Sequence, residues 1–234
     1  MKTPFFSNTL CVLTLGLLFS FQNTLSAQTS DNLVSLKEQA AEWVGENEKL
    51  SQVMVDKIFS FSELGFQEER SSKYLTDILK KEGFDIEYGV SGIPTAWFAK
   101  WSQGEGPVIA LGSDVDCIPK ASQYPGVAYH KPIVDGAPGH GEGHNAGIPL
   151  NITAALSVQK LMKKEGIGGT LILWPGIAEE LVAAKAWFTR DGLFKDIDLC
   201  IFTHVSSNMG VSWGQSSGTG LISVAYTFDG EAAH

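Results

Sequence analysis

Apolar residues recur at helical spacing three times in the first third of the chain. They are Leu33, Leu36, Ala40, Trp43 and Val44; then Leu50, Val53, Met54, Ile58 and Phe61; then Tyr74, Leu75, Ile78 and Leu79. Each set predicts an amphipathic helix, and Gly83 stops the third. The period then shortens. Thr95 to Trp101 and Pro107 to Leu111 read as strands, with the glycine-rich turn Gln103-Gly104-Glu105-Gly106 between them. Ser113 to Gly147 has little periodicity and much Gly, Pro, His and Asp, which predicts a long functional loop. Beyond it, Ile148 to Met162 predicts a helix, Thr170 to Trp174 a strand, Glu179 to Arg190 a helix and Leu199 to Thr203 a strand. Such alternation implies an α/β domain, a largely parallel sheet with helices on both faces. In sheets of that kind ligands gather at the carboxyl ends of the strands, where the polar clusters of this chain fall. The alternating run Leu221 to Phe228 follows a glycine-marked break at Gly218 and Gly220 and reads as the opening strand of another domain.

The N-terminus departs from this pattern. Lys2, the apolar run Leu10 to Phe21 and the small-residue end Leu25-Ser26-Ala27 read as a secretory signal peptide over residues 1–27. An exported protein, periplasmic or secreted, is therefore expected, with no membrane attachment after cleavage. The net charge of −9 becomes one unit more negative once Lys2 is removed. That balance argues against binding to nucleic acid or anionic membranes, which needs clustered Lys and Arg. Cys117 and Cys200 remain, each in or beside an apolar strand-like run. They read as buried structural thiols, since two cysteines make no disulfide framework.

All five histidines lie after residue 129, and three clusters carry candidate chemistry. In Gly139-His140-Gly141-Glu142-Gly143-His144-Asn145, glycine between Glu142 and His144 lets an extended backbone aim both side chains at one point, as a metal requires. A hydrogen-bonded turn explains the same run equally well. In Trp174-Pro175-Gly176-Ile177-Ala178-Glu179-Glu180, adjacent carboxylates diverge where a strand meets a helix, so that one can hold a metal while the other handles a proton. The alternative is an acidic first turn favoured by the helix dipole. His204 follows an apolar strand and is by itself more often structural than a ligand. Three such features at successive strand ends are what an active site on this topology predicts.

As an ordered set, these residues resemble the metallopeptidase family of carboxypeptidase G and the aminoacylases. Within it they are closest to the branch of auxin-conjugate amidohydrolases and p-aminobenzoyl-glutamate hydrolases. The resemblance runs through Glu63-Leu64-Gly65-Phe66-Gln67-Glu68-Glu69, Gly92-Ile93-Pro94-Thr95-Ala96 and Asp114-Val115-Asp116-Cys117-Ile118-Pro119. It continues with Gly139 to Asn145, Ala178-Glu179-Glu180, Thr203-His204 and Gly230-Glu231-Ala232-Ala233-His234. It implies a zinc-peptidase-like catalytic domain whose N-terminal part occupies residues 28–217. Residues 218–234 would begin a lid and dimerisation domain.

Carried over by position, the resemblance makes Glu142 the ligand bridging two metals, zinc or manganese. His144 and His204 become ligands of one metal, Glu180 a ligand of the other and Glu179 the general base. His234 would reach the substrate carbonyl in a neighbouring protomer of a homodimer formed through the lid. His140 is placed behind the ligands, orienting them or their loop. His130, Asp114 and Asp116 read as loop braces or substrate contacts, with bracing preferred. The implied activity is hydrolysis of an amide bond between an acyl or aminobenzoyl group and an amino acid. Alternatives are a dipeptidase, an N-acyl amino acid deacylase, or a binding or scaffold protein on the same fold. The branch often bridges with cysteine where this chain has Glu142, and often reads Gly-Thr-Pro-Ala where Pro175-Gly176-Ile177-Ala178 stands. The family also draws its last metal-ligating histidine from a distant C-terminal segment, so these 234 residues alone are expected to show little activity.

Overall fold

The computed structural model describes residues 32–214, 222 and 224–233. The expected signal peptide lies outside the described residues. Helix α1 covers 32–46, followed by α2 (Glu48–Phe61) and α3 (Glu69–Lys81). The first-turn donors of α3 are met by Glu63, whose carboxylate accepts the N–H groups of Arg70 and Ser71 at 2.9 Å each. The buried stripe of α2 and α3 (Met54, Ile58, Leu75, Leu79) follows the predicted apolar spacing.

Five strands follow: β1 (Asp85–Tyr88), β2 (Trp97–Gln103), β3 (Val108–Asp114), β4 (Gly169–Gly176) and β5 (Leu199–Phe202). They form one sheet in the order β1-β2-β4-β3-β5. The α/β expectation holds, in a mixed sheet: β3 is parallel to β4 and β5, whereas β2 pairs antiparallel with β4 and β1 with β2. A short connection joins β1 to β2, which only antiparallel neighbours allow. The sequence pattern missed β1 because its four residues are almost all exposed and carry no apolar alternation.

Helices cover both faces. On one lies α4 (His144–Glu165), which extends four residues before the predicted start. Its Gly147 sits so close to Ser113 of β3 that a side chain there would collide with the hydroxyl. On the other, Phe98 and Trp174 of the sheet meet Phe188 of α5 (Lys185–Arg190) and Phe194, and Phe202 packs beside Trp174. Ring centroids are 5.6 Å apart for Phe98 and Phe188 and 5.0 Å for Trp174 and Phe194. Gly112 lies beneath the Trp174 indole with no room for a methyl group. Gly112→Ala should therefore lower stability by about 1–3 kcal/mol, the usual cost of overpacking, read as a lower urea midpoint at unchanged slope.

Three expectations need correction. The helix expected over Glu179 to Arg190 is split into a 3₁₀ turn, Glu179–Leu181, and α5, with Val182 and Ala184 in positive-φ conformations between them. The amides of Ala178 and Glu180 bond carboxylates from other elements, so the local preference for helix is overridden. Cys117 is buried as expected, but Cys200 is exposed, because β5 is an edge strand among the described residues and all four of its residues are exposed. Of the strand expected over Leu221 to Phe228, residues 222 and 224–228 are described and none is in a strand. Ile222 and Phe228 are almost fully exposed, and a strand without a ladder partner leaves its backbone polar groups unpaired.

Candidate metal centre

The carboxyl ends of the parallel strands deliver the site. Asp114 ends β3, and Asp116 follows two residues later. Glu142 closes the long loop, and His144 is the first residue of α4. Glu179 and Glu180 occupy the 3₁₀ turn after β4, and His204 stands two residues beyond β5. The backbone between Glu142 and His144 is not extended: Gly143 has φ 78 and ψ 20 and is the N-cap of α4. Glycine is needed there for its positive φ, and the turn points His144 inward at the helix start.

Two groups of potential ligand atoms result among the described residues, each with its atoms within 4.8 Å of one another: Glu142, His144 and Glu180; and Asp114, His144 and His204. His144 belongs to both. It is buried, and its Nδ1 lies 3.0 Å from the Asp116 carbonyl, 3.5 Å from Asp116 Oδ1 and 3.8 Å from Glu180 Oε1. A carbonyl only accepts, so Nδ1–H donates to it. His204 Nδ1 likewise donates to the Val205 carbonyl at 2.7 Å. The two Nε2 atoms then face each other at 3.2 Å. With both Nδ1 protons committed, neutral rings present two lone pairs to one another, which a cation between or beside them resolves.

The electrostatics agree. Burial works against a charge on His144, but Asp116 and Asp114 outweigh it and push the imidazole up to about 9. Without a metal, a proton thus serves as the cation facing His204. Burial raises the Glu180 carboxyl, and Glu142, Asp116 and Glu179 raise it further while His144 opposes them. Asp116 Oδ1 is buried without a hydrogen-bond partner among the described residues. A carboxylate-rich pocket with two converging imidazoles suits a hard or borderline divalent metal such as zinc or manganese, so the donor set fits the ions that the resemblance implies.

A curated relative decides the family. Over 181 residues the chain is 32% identical to a p-aminobenzoyl-glutamate hydrolase chain of Escherichia coli, a match covering 77% of this chain and 37% of that protein. The chain belongs to the metallopeptidase/amidohydrolase family. A second relative, N-acetyl-L-cysteine deacetylase of Bacillus subtilis, is 26% identical over 192 residues, covering 80% of this chain and 42% of the relative. Among solved structures, a dinuclear metal binding peptidase of Bacillus subtilis shares the fold with a TM-score of 0.57 at 21% identity, over 70% of this chain and 44% of that one. No family model matches the chain. The chain thus spans about two fifths of the length of these curated relatives.

Within this family frame, Glu142, His144, Glu180 and His204 all lie in the two ligand groups. The resemblance makes Glu142 the bridge between two metals; the residue common to both groups is His144, whose Nε2 faces His204 while its Nδ1–H is given to the Asp116 carbonyl. Asp114, read from sequence as a brace, is in the group with both histidines, and its signal was a carboxylate at the last residue of a buried strand. Burial raises its carboxyl, and Lys185, whose Nζ lies 2.8 Å from Oδ1, opposes that. Asp116 does brace, accepting the Glu180 amide at 3.1 Å. Glu179 is in neither group, and its Oε1 lies 3.9 Å from the same Lys185 Nζ. His140 donates from Nε2 to the Ile58 carbonyl at 3.1 Å, stacks beside Phe59, and is pushed down to about 4 by burial, so it ties the loop to α2 as a neutral ring. His234 lies outside the described residues.

Proposed function

We propose that the whole protein hydrolyses an amide bond joining an acyl or aminobenzoyl group to an amino acid such as glutamate. The observation that carries this reading is the pair of ligand groups sharing His144 beside a carboxylate, Glu179, that joins neither. Glu142, His144, Glu180, His204 and Asp114 would hold two divalent ions, zinc or manganese. Bound there, such ions supply Lewis acidity and a water of lowered pKa. Glu179 takes the proton of the attacking water and returns it to the leaving amine. Lys185, close to both Glu179 and Asp114, limits where the base can swing. The substrate carbonyl oxygen is held by His234 from the other protomer of a homodimer formed through the lid. The protein is exported to the periplasm or beyond the cell, and its substrate is a small molecule.

The aminobenzoyl-glutamate reading draws on the relative of that name. The second reading, an N-acyl amino acid deacylase, is favoured by the deacetylase match. A panel of p-aminobenzoyl-glutamate, N-acetyl amino acids and dipeptides, assayed with the full-length, metal-loaded protein, separates them. Preference for the aminobenzoyl substrate by kcat/KM supports the first reading. Preference for an acetyl substrate replaces it with the second. Absence of bound metal after reconstitution, together with no turnover, leaves a scaffold.

A further inference from the structure

The sequence motif Glu63 to Glu69 supplies no member of either ligand group, yet it lies directly beneath the glutamate pair. Glu68 is fully buried. Its Oε1 accepts the Ala178 amide at 2.9 Å, and its Oε2 accepts the Thr95 hydroxyl at 2.9 Å. No Lys or Arg pairs with it among the described residues. A buried carboxylate without a cation is costly unless its hydrogen bonds require it. The bond it makes is to the residue immediately before Glu179.

Ala178 has φ +51, a left-handed conformation that a non-glycine residue keeps only when its surroundings over-determine it. Three neighbours do so. Glu68 takes its amide, Asp116 takes the Glu180 amide, and Gly65 approaches so closely that a side chain on it would lie 2.9 Å from the Ala178 Cα and Cβ. The motif is itself fastened to the Asp116 segment by the Leu64–Cys117 bridge and a 2.9 Å bond from the Cys117 amide to the Glu63 carbonyl. One connected frame thus sets both the brace on His144 and the backbone from which Glu179 and Glu180 project.

We infer that Glu68 is a positioning residue, whose buried hydrogen bond to Ala178 holds the turn that aims Glu180 at the metal group and Glu179 away from it. Gly65 provides the clearance that lets the turn seat. The role belongs to the hydrogen bond and not to the charge: a glutamine there accepts from Ala178 through its oxygen and donates to the Thr95 hydroxyl through its nitrogen. The inference rests on the proposed function only for the chemistry that the turn serves.

The test compares Glu68→Gln with Glu68→Met, which keeps the volume and removes both bonds, in the full protein. Two readouts are used: Co²⁺ titration followed by visible absorption, and hydrogen exchange of the Ala178 and Glu180 amides. The Met variant should bind one Co²⁺ equivalent about ten- to a hundredfold more weakly, the usual effect of losing a partner behind a metal ligand, and both amides should exchange faster. The Gln variant should match the parent in both. If the Met variant fails to fold, Gly65→Ala displaces the same turn from the other side and should weaken the same equivalent. Parent-like Co²⁺ binding and exchange in a folded Met variant that merely melts earlier overturns the inference, as does parent-like binding by Gly65→Ala. A Gln variant as impaired as Met overturns the hydrogen-bond assignment. Should the parent bind no Co²⁺, the proposed function fails, while amide exchange still decides whether Glu68 holds the turn.

Discussion

His144→Ala should strip at least the metal equivalent that its Nε2 would share with His204, measured by elemental mass spectrometry on the full-length protein after dialysis. His144 is the member common to both ligand groups, and its ring faces His204 on one side and Asp116 and Glu180 on the other. Its removal also leaves the buried Asp116 carboxylate facing no cation. The loss of affinity should exceed the ten- to hundredfold typical for removing a group behind a ligand. Glu142→Ala should cost only the equivalent it shares with Glu180, since Glu142 is absent from the group formed by Asp114 and His204. Two equivalents retained by His144→Ala would remove it from the ligands; two lost by Glu142→Ala would make that carboxylate the bridge between both ions. Because His144 holds its proton up to about 9 in the metal-free protein, binding must displace that proton. Affinity should therefore rise with pH until about that value.

Glu179→Gln should abolish turnover while leaving metal content unchanged. A positioned general base contributes about 10²–10⁴ in rate, and the carboxamide cannot take a proton from water at neutral pH. The fall should appear in kcat, with KM little changed, because the substitution keeps size and removes only basicity. Glu180→Gln makes the contrast, because Glu180 lies within the ligand group and its loss should lower metal content as well. Undiminished turnover by Glu179→Gln would remove the residue from the role of base and point to another proton acceptor near the site.

Much of the fold was legible because burial imprints a period. The stripes through Met54 and Ile58 and through Leu75 and Leu79 are the buried faces of α2 and α3. The strand at Thr170 to Trp174 and the one at Leu199 to Thr203 appear within a residue or two of their places. Elements without a one-sided core were not legible. β1 is short and exposed, and the break between Glu179–Leu181 and α5 follows from bonds made by residues far away in the chain.

The candidate site divides the same way. Residue types and strand-end spacing singled out Glu142, His144, Glu179, Glu180 and His204 without a structure, because a metal site at the end of a parallel sheet needs carboxylates and imidazoles there. What the residues do to one another was decided only by the tertiary structure. It is the sheet order β4-β3-β5 that brings His144 Nε2 and His204 Nε2 to 3.2 Å, adds Asp114 to them, and leaves Glu179 outside both groups. It is likewise the packing of the 63–69 segment under Ala178 that turns an acidic pair, helical by local preference, into a kinked turn with diverging carboxylates. Local sequence sets which groups are available and the backbone period on which they ride. Distances between groups far apart in the chain depend on how strands pair, and strand pairing is a property of the whole core.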